Sequence, residues 1–130
     1  MVIGGGLVGA ETAEYLANKG HQVTIVEMMD KIAAGESTTV LPLMMKDFAD
    51  HNVKQLVNTK VDHIENNIVY TANDQIKADT IINALGSKKN IFDDSSITIP
   101  HVCVGDCSGE RTADIASAIR TAYHAANEIG

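Results

Sequence analysis

The fold is decided by the stretch V-I-G-G-G-L-V-G-A-E, residues Val2–Glu11. A short apolar run leads into Gly4, Gly6 and Gly9, which have G-x-G-x-x-G spacing, and a helical pattern follows at once. In this motif the first glycine allows a tight turn after a strand. The second lets the backbone approach a pyrophosphate, and the third lets the helix pack closely on the strand. The stretch therefore predicts a dinucleotide-binding βαβ unit whose helix N-terminus faces the phosphates.

The residues after this motif agree with that prediction. Val8 to Gly20 has the pattern of a first helix, with a small-residue stripe that includes Gly9. A second strand is expected at Gln22–Val26, and Glu27 ends it. Glu27 lies 18 residues beyond Gly9, near the spacing expected of a carboxylate that bonds the adenosine ribose. The alternative is an ordinary solvated acid at a strand end.

Beyond Glu27, hydrophobic periodicity and turn residues predict the remaining elements. The predicted helices are Val40–His51 and a last helix that starts at Arg111 or Thr112 and ends near Ile129. The predicted strands are Val53–Val57, Lys60–Glu65, Ile68–Ala72, Asp79–Gly86 and His101–Asp106. The apolar run in Asp79–Gly86 predicts that this strand is parallel and buried. We expect a Rossmann-like three-layer α/β fold: a parallel sheet of about four strands, helices on one face and an antiparallel β-meander on the other.

Two predicted helices carry an apolar stripe that should pack on the sheet. In Val40–His51 the stripe is Leu41, Met44, Met45, Phe48 and Ala49. In the last helix it is Ala113, Ala116, Ile119, Ala122, Tyr123 and Ala126. The methionines are interpreted as core residues, because Met fills irregular gaps in apolar cores.

Composition excludes several classes of function. The 130 residues include 10 basic and 17 acidic side chains, a net charge of −7 that opposes nucleic-acid binding. No apolar run approaches a membrane span, and no signal peptide is recognised, so a cytoplasmic protein is expected. The two cysteines, Cys103 and Cys107, form no C-x-x-C pair, and the scattered histidines lack metal-ligand spacing. We therefore expect neither a redox-active dithiol centre nor a metal site.

Four segments, in this order, resemble the two-dinucleotide-domain flavoproteins. They are Gly4–Glu11, Thr24–Glu27, Asp79–Gly86 and Val104–Cys107. Within that superfamily the chain is similar to the C-terminal part of the NADH:flavin oxidoreductases related to old yellow enzyme. These include 2,4-dienoyl-CoA reductase, NADH oxidase and enoate reductase-like enzymes. The resemblance covers essentially the whole chain.

The resemblance implies a domain organisation. In that family an NAD(P)H-binding domain is inserted into an FAD-binding domain, so residues 1–86 would be the NADH-binding domain. Residues 87–130 would be the C-terminal tail of the FAD-binding domain. The predicted first strand, Met1–Ile3, is short, as expected of a piece cut from a larger protein. The rest of the FAD domain, and a barrel with FMN and the cysteines of an iron–sulfur cluster, would lie upstream.

The resemblance also implies which residues hold the phosphates and the nicotinamide. Gly4, Gly6 and Gly9, with the amides of Leu7 and Val8, would hold the NADH pyrophosphate.

Glu11 would lie near the nicotinamide end, and Ala84, Leu85 and Gly86 would flank the ribose and nicotinamide. Asp106 would bond a ribityl or phosphate group of FAD in the intact parent. An ordinary helix-surface acid at Glu11 and a capping or turn acid at Asp106 remain open alternatives.

At the other end of the dinucleotide, Glu27 would bond the adenosine hydroxyls and Val61 would flank the adenine. A carboxylate at Glu27 repels a 2′-phosphate, and no arginine follows in Met28–Lys31. NADH is therefore preferred over NADPH.

The leading functional hypothesis is that the chain binds NADH for hydride transfer to a flavin in a parent oxidoreductase and catalyses nothing alone. An alternative from another class is a stand-alone NAD-binding sensor or scaffold. A third is a site that collapses in isolation, with the apolar surface left by a missing domain driving homodimerisation.

Overall fold

The computed structural model describes residues 1–35, 37–88, 93–108 and 115–129. By the density of its internal packing the chain divides into two compact units. These are Met1–Gly86, called here the N-terminal unit, and Ser87–Gly130, called here the C-terminal unit.

The N-terminal unit contains two sheets. Its strands are β1 (Val2–Ile3), β2 (Thr24–Val26), β3 (Lys54–Leu56), β4 (Val61–Glu65), β5 (Ile68–Thr71), β6 (Gln75–Lys77) and β7 (Ile82–Asn83). The first sheet has the order β3-β2-β1-β7, and all of its neighbouring strands are parallel. The second is the antiparallel meander β4-β5-β6. The predicted four-stranded parallel sheet and separate meander are therefore confirmed.

Two helices, α1 (Leu7–Asn18) and α2 (Leu41–Asp50), cover one face of the parallel sheet. Val2 and Ile25 are register partners, and both share an apolar core with Phe48 of α2. Their neighbours Ile3 and Val26 point to the opposite face, because side chains alternate along a strand. Both are buried and line a cleft together with residues of β4, which places the meander on that face. The three-layer prediction is thus confirmed.

The small-residue stripe of α1 is buried as predicted, whereas the stripe of α2 is buried only in part. Met44 and Phe48 are buried, which confirms Met44 as a core residue. Ala49 is exposed, so its assignment to the packing face was wrong. It follows Phe48 directly and therefore lies about 100° further round the helix.

The hairpin between β4 and β5 turns at Asn66 and Asn67, as the sequence predicts. Both residues have positive φ values, 47° and 61°. Two successive positive φ values define the type I′ turn that fits the right-handed twist of a two-residue hairpin, and asparagine tolerates this conformation.

The last strand of the parallel sheet is shorter and more open than predicted. Only Ile82 and Asn83 of the predicted Asp79–Gly86 strand pair with a neighbour, and that neighbour is β1. Ile82 is half-buried and Asn83 is exposed, so the expectation of a fully buried strand was wrong. Among the described residues β7 is an edge strand, which explains the exposure.

The C-terminal unit has a 3₁₀ turn at Gly105–Cys107 and a helix, α3, at Ile115–Glu128. The strand predicted at His101–Asp106 is absent from the described residues. Val104 is extended, with φ −126° and ψ 163°, but a strand needs a neighbour to form a ladder, and no described strand pairs with it. The predicted helix start at Arg111 or Thr112, and the stripe residue Ala113, lie outside the described residues.

Helix α3 packs through a face that the sequence did not indicate. The backbone N–H of Gly105 donates to Thr121 Oγ1 at 2.8 Å, and Ala125 is buried. The predicted stripe is exposed instead, with Ile119 at 65% and Tyr123 at 66%. The prediction was wrong because no other element of this unit, in the ranges described, covers that side of α3.

Candidate functional site

A cleft of about 660 Å³ opens where β1, β2 and β7 end. The carboxyl ends of parallel strands are where ligands bind in open α/β sheets. The start of β4 forms the opposite wall of the cleft. Nine of the predicted site residues line it: Gly4, Gly6, Leu7, Val8, Glu27, Val61, Ala84, Leu85 and Gly86.

The three motif glycines differ in whether packing within the chain excludes a side chain at their position. Gly4 has φ +97°, and a Cβ there would lie 2.5 Å from the Ala84 carbonyl oxygen. A Cβ on Gly9 would overlap the Gly4 carbonyl oxygen, so these two glycines are needed for the strand and helix to pack. Gly6 is extended, with φ −63° and ψ −177°, and a Cβ there would meet nothing within 4 Å. Its open side leaves room for a ligand to approach the backbone.

The N-terminus of α1 faces this open space and lacks a protein cap. Gly6 is the N-cap residue, no described side chain caps it, and the first turn holds no acid. The first N–H groups of a helix have no partner within the helix and carry a partial positive charge. Leu7 and Val8, in that first turn, are 45% and 69% exposed. The arrangement suits an anion such as a pyrophosphate.

The carboxylate of Glu27 is held in place by two backbone groups. The N–H of Gly5 donates to Oε2 at 2.6 Å, and the N–H of Met29 donates to Oε1 at 2.7 Å. Glu27 thereby joins the glycine loop to the residues that follow β2. Each carboxylate oxygen keeps a further lone pair, so the half-buried side chain can still accept from ribose hydroxyls.

Three predicted site residues do not line the cleft. Gly9 is buried under the glycine loop, where it serves packing. Glu11 is exposed on α1, and Asp106 lies exposed in the 3₁₀ turn of the C-terminal unit. The ligand-binding roles predicted for Gly9, Glu11 and Asp106 stay predictions.

The cleft also contains residues that the sequence had not singled out. They are Ile3, Val26, Met28, Thr59, Lys60, Asp62, His63, Ile64 and Asn83. The Thr59 N–H donates to the Glu27 carbonyl oxygen at 2.8 Å, which brings the chain back to the strand ends before β4 begins. The short interval between the predicted strands Val53–Val57 and Lys60–Glu65 was the available signal for this return.

No helix in the described part of the chain is both long and apolar enough to cross a membrane. Within the same residues, no group of three or more histidine, cysteine or acidic side chains could hold a metal ion.

Comparison with known proteins gives a family match over residues 1–127, to the pyridine nucleotide-disulphide oxidoreductases. The chain is 46% identical, over 136 aligned positions, to a bilirubin reductase of Mediterraneibacter gnavus. That alignment covers 99% of this chain and 21% of the relative. The chain thus spans about a fifth of the relative's length.

Two solved structures extend the likeness to the fold. A 2-naphthoyl-CoA reductase in complex with 2-naphthoyl-CoA has a TM-score of 0.68 and 28% identity, covering 94% of this chain and 20% of the other. A water-forming NADH oxidase from Lactobacillus brevis, bound to NADH, has a TM-score of 0.58 and 26% identity, covering 68% of this chain and 21% of the other.

Proposed function

Because the chain belongs to the pyridine nucleotide-disulphide oxidoreductases, we propose that its N-terminal unit binds NADH and presents it for hydride transfer to a flavin. The observation that carries this proposal is the open space beside Gly6, at an uncapped helix N-terminus in the cleft. Nothing in the described chain fills that space, so packing alone does not call for a glycine there. A pyrophosphate that must approach the backbone does.

The family, with its NADH oxidase and FAD-dependent members, indicates NAD(H) and FAD as cofactors. NADH supplies the hydride and the flavin accepts it. The chain's own part is to bind and orient NADH. The amides of Leu7 and Val8 would donate to the pyrophosphate, and the carboxylate of Glu27 would accept from the adenosine ribose. Ala84–Gly86, at the end of β7, would flank the nicotinamide ribose.

The proposal assigns a different role to each unit. Residues 1–86 would form the NADH-binding domain, and residues 87–130 would complete an FAD-binding domain supplied by the parent. There Asp106 would bond a ribityl or phosphate group of FAD. The sequence has a single G-x-G-x-x-G motif, at Gly4, which the proposal assigns to NADH.

For the parent we propose an NADH:flavin oxidoreductase related to old yellow enzyme, similar to 2,4-dienoyl-CoA, enoate or NADH oxidase-type enzymes. The likeness to a bilirubin reductase and to a 2-naphthoyl-CoA reductase, each over nearly the whole chain, supports this choice. FMN and an iron–sulfur cluster would then belong to the part of the parent outside this chain.

Glu27 favours NADH over NADPH. Its carboxylate, fixed by Gly5 and Met29, would stand where a 2′-phosphate must fit, and two negative charges in contact repel. The exposed side chains that follow, Met28 and Met29, offer no positive charge to offset this.

Calorimetric titration of the 130-residue chain with NADH, NADPH and FAD tests the proposal. We expect NADH to bind more tightly than NADPH, with little FAD binding. Glu27→Ala should weaken NADH binding by about 10- to 100-fold, since it removes hydrogen bonds to a charged group. Asp30→Ala removes an exposed acid outside the cleft lining and is the matched control. NADPH binding as tight as NADH, or no nucleotide binding, would contradict the proposal.

A further inference from the structure

Two rings stack on each other at the wall of the cleft. His63 of β4 and Tyr70 of β5 are register partners, with ring centroids 4.3 Å apart and planes inclined by 7°. The register shifts between Val61 and His63, so β4 has a bulge there. Bulges re-aim side chains and are frequent beside binding sites. Tyr70 covers one face of the imidazole and fixes its plane.

The His63 side chain is exposed and contributes to the lining of the cleft. Its neighbours in that lining, Val61, Asp62 and Ile64, have no aromatic ring and so offer no stacking surface of their own. A flat ring, held in place by a second ring and open to the cleft, is suited to stack against a planar heteroaromatic ligand.

The position of His63 along the chain fits the adenine end of NADH. Thr59 is hydrogen-bonded to the main chain of Glu27, the residue proposed to hold the adenosine ribose. His63 is four residues beyond Thr59, so its Cα lies within about 14 Å of the Thr59 Cα. The adenine is attached to that same ribose, so it can contact the residues of β4 that line the cleft.

We propose that His63, backed by Tyr70, is the stacking platform for the adenine ring of the dinucleotide. This inference rests on the proposed function and adds a positioning residue to it. Glu27 would bind the ribose hydroxyls and the platform would hold the base, and together they would fix the adenosine half of the dinucleotide.

The test is calorimetric titration of the full 130-residue chain with NADH and with ADP-ribose, which has the adenosine but no nicotinamide. His63→Ala should weaken the binding of both ligands by the same factor, about 5- to 30-fold. His63→Phe keeps a flat ring, so its dissociation constants for both ligands should lie within about threefold of those of the unsubstituted chain. His21→Ala removes an exposed histidine outside this cleft and is the matched control. Far-UV circular dichroism checks that each variant is folded.

A second readout is the NMR spectrum of bound ADP-ribose. Stacking predicts upfield shifts of the adenine H2 and H8 signals and nuclear Overhauser contacts with the His63 ring, both lost in His63→Ala.

The outcomes separate this inference from the proposed function. If the unsubstituted 130-residue chain binds neither ligand, the proposed function is wrong. If it binds both and His63→Ala binds them equally well, the platform is wrong and the function stands. A loss seen with NADH but not with ADP-ribose would place His63 at the nicotinamide half and would also overturn the inference.

Discussion

The two units differ in what their helices bury. In the N-terminal unit, α1 buries Gly9, Ala10, Ala13 and Ala17, and Phe48 of α2 is completely buried. In the C-terminal unit, Ala125 is the single buried hydrophobic residue among those described. Yet α3 carries large apolar side chains at helical spacing, with Ile115 at 79% and Tyr123 at 66% exposure.

This difference shows that an apolar stripe indicates which face of a helix should be buried, but not whether a packing partner is present to bury it. The stripes of α1 and α2 become a core because the parallel sheet is present in the same unit. The stripe of α3 has no such partner among the described residues of its unit. In the proposed parent, the remainder of the FAD-binding domain would cover it.

The largest difference between the units is expected in the free energy of unfolding, when one aromatic side chain in each unit is truncated to alanine. Phe48→Ala removes a buried ring and should lower the free energy of unfolding by about 3–5 kcal/mol. Tyr123→Ala removes a ring of similar size from an exposed position and should change it by less than about 0.5 kcal/mol. Urea unfolding, followed by far-UV circular dichroism, measures both. A large loss in Tyr123→Ala would mean that something covers α3 in this chain.

In the C-terminal unit, where exposed polar contacts replace a core, we expect a smaller effect, a pH-dependent contribution of His101 to stability. His101 bonds the Ile99 carbonyl and the Asp94 carboxylate, each at 2.9 Å. The Ile99 bond first, and then Asp94, raise the pKa of His101 above its ordinary value of 6.5. The contact therefore stabilises the folded unit fully below pH 6.5, and this contribution is lost as the pH rises through the folded-state pKa.

Asp94→Asn should lower the His101 pKa toward 6.5, while the Ile99 bond keeps it somewhat higher. The His101 Hε1 chemical shift, followed by NMR against pH, measures this. Asp93→Asn removes a neighbouring carboxylate that bonds Ser95 instead, and should leave the His101 pKa unchanged. An equal shift in both variants would mean that general surface charge, and not the Asp94 contact, sets this pKa.

The sequence predicted the fold well wherever local pattern and tertiary partner coincide. The glycine motif, the Asn66-Asn67 turn and the α1 stripe each have a local signature that the structure satisfies. The strand at His101–Asp106 could not be predicted reliably, because a strand depends on its neighbours and the local pattern does not report whether one is present. The exposed face of α3 was mispredicted for the same reason.

The site divides in a similar way. The residues on the parallel-strand ends and the glycine loop could be predicted, because the motif fixes their position relative to one another. His63 could not, since its approach to the cleft depends on the path from β3 to β4 and on a bulge. Nor does the sequence reveal that Glu27 is bonded to the glycine loop.

In the proposed function Gly6 is present for a ligand, whereas Gly9 is present for packing. The most direct test is the dissociation constant for NADH of the Gly6→Ala chain, with its unfolding free energy measured alongside. We predict binding at least about tenfold weaker, with stability changed by less than about 1 kcal/mol. In Gly9→Ala the new Cβ overlaps the Gly4 carbonyl oxygen, so it should lose about 1–3 kcal/mol of stability. If the Gly6→Ala chain binds NADH as tightly as the unsubstituted chain, Gly6 is not required for the ligand.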